Sequence, residues 1–279
     1  MAPIVNQLTV FGLTALLYLL LGGHFWRTRW SETGALPASA SAPAWERAAI
    51  GATLFLHATG LKLALFQNGN MFFSFSLALS LMAWLAALIY WLESFRARMD
   101  GLQPIVLLVG AVATLLPLFF AHIRPIPHAH AWGFRLHFLC VMLAYSLFML
   151  AAIHAVFIRI IDKRLHAHLP SRRMAHMPSL LALEAVLFRI LAIAFAFLTL
   201  ALVSGLLYSE SQSGTPLPFN HKTVFAFLSW IIFGVLLAGR HIYGWRGRKA
   251  LHWTLTGFAS LLLAYVGSRF VLEVILQRI

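Results

Sequence analysis

Long apolar runs broken by short polar segments set the pattern of this chain. Eight of them, at about 5–25, 46–66, 71–93, 102–121, 134–160, 183–208, 221–241 and 250–276, approach the ~20 apolar residues that a helix needs to cross a bilayer. Together they account for most of the sequence, and no connection between them is long enough to be a domain of its own. The pattern predicts an all-α, polytopic integral membrane protein, a bundle of eight transmembrane helices that forms one domain over residues 1–279.

Composition agrees with the pattern. Of the 279 residues, 61% are hydrophobic and 10% charged, and the mean hydropathy is +0.84, outside the range of soluble domains. The formal charge of +13 would suggest nucleic acid in a soluble protein. Here the basic residues collect in alternate connections, so the excess encodes topology and attraction to anionic lipid. Nucleic acid is therefore excluded as a partner, and the bilayer is the first one implied.

The connections after runs 1, 3, 5 and 7 carry Arg27, Arg29 and Arg47, then Arg96 and Arg98, then Lys163, Arg164, Arg172 and Arg173, then Arg246, Arg248 and Lys249. Those after runs 2, 4 and 6 carry Arg124, with Arg135 and Lys222 at helix mouths. By the positive-inside rule the odd connections face the cytoplasm and both termini face the periplasm. The Ala-Ser-Ala-Ser-Ala stretch at 38–42 imitates a signal-peptide cleavage site, but the basic residues follow the first run instead of preceding it. The single cysteine, Cys140, lies inside an apolar run, so the chain has no disulfide framework and no Cys-x-x-Cys pair.

The chemistry-bearing residues are mainly histidines. His122, His128, His130 and His137 fall within sixteen positions leading into the fifth run. His57 lies eleven residues into the second run, about halfway across the hydrocarbon, where an ionisable group needs a partner. Two readings of it are open: a neutral ring hydrogen-bonded to another helix, or a ligand. Lys62 is on another face and reads as snorkelling outward. His137 and His154 are seventeen residues apart, about 25 Å along one helix and on different faces, so they cannot share a ligand. Tyr145, eight residues from His137, is close to its face.

Several other groups have a structural reading. Arg240, His241 and Tyr243 beside the 244–249 turn read as a topology anchor, Arg269 and Glu273 as an i,i+4 pair, Glu184 and Arg189 as interfacial. Seven tryptophans near run ends read mostly as anchors at the lipid interface. The chain lacks a Gly-x-Ser-x-Gly elbow, a His-Glu-x-x-His helix and a phosphate-binding glycine loop. Histidine at two depths favours metal or haem-iron coordination over hydrolysis.

Three local features resemble the inner-membrane cytochrome c assembly proteins of the CcsA/CcmC type, most closely the shorter HemX-like and YpjD-like branch. They are Arg-Leu-His137-Phe followed by Ala-Tyr145-Ser-Leu-Phe148, Ser-Trp230 followed by Gly244-Trp245-Arg246-Gly247-Arg248, and Ala264-Tyr265-Val266-Gly267. The resemblance is strongest over about 46–279. It implies a haem-binding accessory protein of the bacterial inner membrane, not an enzyme by itself, that holds or presents haem near the periplasmic face during cytochrome c assembly or haem homeostasis. The implied cofactor is non-covalent b-type haem, and the implied partners are apocytochrome c or other maturation proteins.

By this resemblance His137 is an axial ligand of the haem iron and His57 a second candidate, with His221, His128 and His241 as further cofactor-binding candidates. Two family features differ. Where haem-presenting members carry a Trp-rich loop, this chain reads SESQSGTPLPFNHKT over 209–223, without tryptophan, and residues 269–279 hold no histidine. Two other functions stay open at this point: a b-type electron carrier with paired histidine ligands, and a scaffold or transport subunit without haem.

Overall fold

The structure, a computed structural model, describes residues 2–30, 43–95, 101–120, 124–126, 129, 131–166, 179–213, 221–271 and 275. Eight long helices dominate it: α1 (Ala2–Phe25), α2 (Ala44–Leu65), α3 (Phe75–Glu93), α4 (Gln103–Phe119), α5 (Trp132–His166), α6 (Leu180–Ser213), α7 (His221–Tyr243) and α8 (Gly247–Leu262). A π-helical turn, Trp26–Trp30, continues α1, and another, Leu263–Gly267, continues α8. Seven of these segments are long and apolar enough to cross a membrane, and α4, at 17 residues, is a shorter apolar helix bounded by Pro104 and Pro117. The protein is thus an all-α, multi-pass membrane protein.

Many hydroxyl side chains within the helices are satisfied by their own backbone, as a lipid environment favours. The hydroxyls of Thr14, Thr53, Thr114, Ser146, Ser229 and Thr254 each donate to the carbonyl four residues back.

Long-range contacts bring one set of helix ends to a common face. The Trp30 indole donates to Gly101 O, Trp91 donates to Arg47 O, Arg189 pairs with Glu93, and Arg248 pairs with Asp162. The ends of α1, α3 and α5 therefore lie beside the starts of α2, α4, α6 and α8, so the helix ends that flank the basic connections share a face. The expected ion pair of Arg269 with Glu273 falls outside the described side chains, as do His122, His128 and His130.

The opposite face holds one departure from the expected helices. The third helix begins at Phe75, not near residue 71, because Asn68 and Gly69 both adopt positive φ, 50° and 78°, and turn the chain into a hairpin. That is the backbone of a type I′ turn, which Asn-Gly favours. Strand β1 (Phe66–Gln67) pairs antiparallel with β2 (Asn70–Phe73), which pairs with β3 (Arg124–Pro125). Ser74 then caps α3, its Oγ accepting from Leu77 N.

Helix α5 is the axis of the bundle. Of its most apolar window, 83% is buried, against 28% for α6 and 22% for α7, whose remaining faces are left to lipid. It packs chiefly on α6, α3 and α8, and Phe148 stacks on Phe233 of α7 with ring centroids 3.8 Å apart. At 35 residues it is about 52 Å long and overshoots the ~30 Å hydrocarbon layer.

Candidate ligand-binding site

His57 is fully buried among α1, α2 and α3. Its Nδ1 lies 3.1 Å from the Tyr18 hydroxyl and its Nε2 2.9 Å from Ser80 Oγ, while Phe11 and Tyr18 meet the ring edge-on. A neutral imidazole has one N–H and one lone pair, so it donates to one hydroxyl and accepts from the other. Both nitrogens are engaged, and an iron could approach only by displacing Tyr18 or Ser80.

His137, on the second turn of α5, is half-buried and built differently. Its Nδ1 lies 3.1 Å from Ser204 Oγ on α6, and that hydroxyl lies 3.2 Å from Ala201 O. If Ser204 donates its one proton to Ala201 O, it must accept from Nδ1–H, which leaves the lone pair on Nε2. The Ala201 carbonyl also accepts from the ring, and among the described residues no side chain is hydrogen-bonded to Nε2. Gly205 makes room for the ring: a Cβ there would stand 3.0 Å from His137 Cε1.

The imidazole borders an open cavity of about 260 Å³ between α5, α6, α7 and α8 with its π-helical extension. Its walls are apolar, with Val141, Leu198, Leu202, Leu206, Phe227 and Leu261 prominent, and Tyr145 and Tyr265 add two phenols. Lys222 and Thr223, at the first turn of α7, line the end nearest His137. The volume is near the ~300 Å³ lower end of small-molecule sites. One imidazole lone pair, apolar walls and a cation at one end fit an amphipathic, metal-centred ligand with carboxylates. Haem is a ligand of that chemistry, and if it bound here His137 would hold its iron and Lys222 would lie on the side of a carboxylate.

The other expected ligands are not brought to this cavity. His57 belongs to α1–α3. His221 is exposed at the start of α7 and does not line the cavity, although its neighbour Lys222 does. His241 is exposed at the far end of α7, twenty residues and about 30 Å away. His128 lies outside the described residues. Among the described residues no group of three His, Cys, Asp or Glu could hold a metal. His154 is buried with neither ring nitrogen hydrogen-bonded.

The profile of the cytochrome c assembly protein family matches residues 46–276, most of the chain and all helices from α2 onward. The chain belongs to that family. It is 30% identical to the inner membrane protein YpjD of Escherichia coli K12 over 244 residues, covering 83% of this chain and 89% of that one. A shorter match, 35% identical over 89 residues, links 32% of the chain to 29% of the cytochrome c biogenesis protein CcsA of Prochlorococcus marinus. The CcsA protein of Chlamydomonas reinhardtii is 24% identical over 70% of this chain and 57% of its own length. With these relatives and its apolar helices, the chain is a multi-pass protein of the bacterial inner membrane. Within the family match lie His137, Ser204, Gly205 and Tyr265; Tyr18, which holds His57, precedes it.

Two groups differ from their interfacial or anchoring readings. Glu184 is buried, its Oε1 accepting from Gly247 N at 2.8 Å, so that it caps α8 from α6; Arg189 is exposed and pairs with Glu93. Arg240 donates to Trp245 O and lies over the Phe188 ring at 4.7 Å, bracing the 244–247 turn. Trp26, Trp45 and Trp132 are exposed as interface anchors would be, whereas Trp30 and Trp91 hydrogen-bond between helices. Lys62 is exposed on the face opposite the core, as its spacing from His57 predicts.

Ser204, Gly205 and Lys222 are the site residues that sequence reasoning missed as site residues. The signal available was the small Ser-Gly pair in an otherwise bulky apolar helix, the kind of step that lets another helix's side chain approach closely.

Proposed function

We propose that this protein is a haem-binding accessory protein of cytochrome c assembly or haem homeostasis, acting without catalytic turnover. His137 Nε2 would hold the iron of non-covalent haem in the α5–α8 cavity. The observation that carries this reading is the state of His137: Nδ1 is held by Ser204, and the ring lines an apolar cavity. An outer partner on one imidazole nitrogen orients the ring and raises its basicity toward a metal on the other. Bound haem would supply an iron centre for axial ligation. The chain's own residues position the imidazole, exclude water with apolar walls and offer Lys222 to a carboxylate.

The charge pattern supports cytoplasmic basic connections, and with them a cavity, holding His137 and Lys222, near the periplasmic face. Partners there would be apocytochrome c or other maturation proteins. A two-histidine electron carrier is less well supported, because among the described residues His137 is the only histidine that lines the cavity.

The deciding experiment is the absorption spectrum of the purified protein, oxidised and reduced, after haem is supplied. Wild type is expected to show a Soret band that His137→Ala lacks; a wild type without that band overturns the proposal. A periplasmic reporter fused after Ile279 should be active, and silence there would refute the orientation.

A further inference from the structure

At the other end of α5, a second cavity of about 210 Å³ lies between α5 and α8, lined by Arg159, Asp162, Lys163, Arg248, Leu251 and His252. Its volume is many times the ~15 Å³ needed for a single water. Three formal cations face one carboxylate, a surplus of two positive charges with His252 neutral. Asp162 is already engaged, by Arg248 Nε at 3.4 Å on one oxygen and His166 Nδ1 at 3.3 Å on the other. Arg159 and Lys163 make no ion pair among the described residues.

Two physical costs point the same way. Arg159 and Lys163 are four residues apart on one helix, where like charges repel. Arg248 occupies the first turn of α8, where the helix dipole disfavours cations. An anion between the two helices relieves both costs.

The surroundings identify its source. Trp245 and Trp253 pack together at the start of α8, and Trp26 and Trp45 are exposed at the same end of the bundle, so indoles mark this level as the lipid interface. Val156, three residues before Arg159 and one turn deeper, is exposed to lipid and offers a path for an acyl chain. Basic pockets between transmembrane helices at this level bind anionic headgroups.

We propose that the cavity between α5 and α8 binds the phosphate headgroup of an anionic phospholipid, held by Arg159, Lys163 and Arg248. The proposal is independent of whether the His137 cavity takes haem.

The full chain is reconstituted in zwitterionic phosphatidylcholine nanodiscs, phosphatidylglycerol is titrated in, and retained lipid is read by native mass spectrometry beside the melting temperature. Wild type is expected to retain phosphatidylglycerol and melt higher with it. The double variant R159Q/K163Q is expected to retain about tenfold less. The pair R189Q/R246Q removes equal charge elsewhere at the same membrane face and should retain phosphatidylglycerol as wild type does, whatever its own melting temperature. Equal losses in both doubles would show diffuse attraction and overturn the site. An equal rise in melting temperature with inorganic phosphate alone would overturn the lipid source. Should the first double fail to fold, K163Q alone, at an exposed position, gives the same two outcomes.

Discussion

His57 and His137 are both histidines in apolar helices, yet the protein treats them in opposite ways. Around His57 every polar atom of the ring is answered by a hydroxyl from a neighbouring helix, and the ring is packed by Phe11 and Tyr18. Around His137 one nitrogen is answered by Ser204 and the ring lines an open cavity. Depth in the membrane therefore does not mark a ligand. A histidine serves structure when its neighbours satisfy both nitrogens, and is available for chemistry when they satisfy one and leave room beside the other.

That contrast can be broken by substitution. The largest expected effect is on haem retention: His137→Ala should lower it by more than ~100-fold, beyond what loss of an outer partner costs, with the melting temperature nearly unchanged. His57→Ala should do the reverse, leaving the Soret band in place while destabilising the bundle by ~2–3 kcal/mol, because it opens a cavity and leaves buried hydroxyls unpaired. Thermal unfolding in detergent reads this, and loss of haem by a folded His57→Ala protein would erase the distinction.

Smaller changes sharpen it. Ser204→Ala removes the hydroxyl partner of Nδ1 and should weaken haem binding ~10-fold in a spectroscopic titration. Gly205→Ala puts a methyl 3.0 Å from His137 Cε1 and displaces the ring. The off-rotamer cost of ~1 kcal/mol corresponds to a several-fold loss in the same titration. An unchanged affinity in both variants would show that the ring's orientation is irrelevant to binding.

Much of the frame was legible in the sequence because a bilayer permits few solutions: a spanning segment must satisfy its own backbone and stay apolar for ~20 residues. The alternating basic connections likewise predicted which helix ends meet. The i,i+8 spacing of His137 and Tyr145 put both on one face, and both line the cavity. The site's other half was not legible, since Ser204 is 67 residues from His137 and contributes only through the packing of α6 on α5. The state of His57 depends in the same way on Tyr18 and Ser80, 39 and 23 residues distant. The hairpin at Asn68-Gly69 was written in the sequence as an Asn-Gly step, but the apolar residues beside it read equally well as the start of a helix.

Helix α5 runs from Trp132 to His166 without a proline and with its one glycine, Gly133, at the very start. Arg159 follows His137 by 22 residues, so the two lie about 33 Å apart along one unbroken rod. That separation is close to the ~30 Å hydrocarbon thickness. The helix is in effect a caliper across the bilayer, with a jaw at each surface. A thinner or thicker membrane cannot change the gap between the jaws; it can only tilt the rod or pull one end away from its headgroup level.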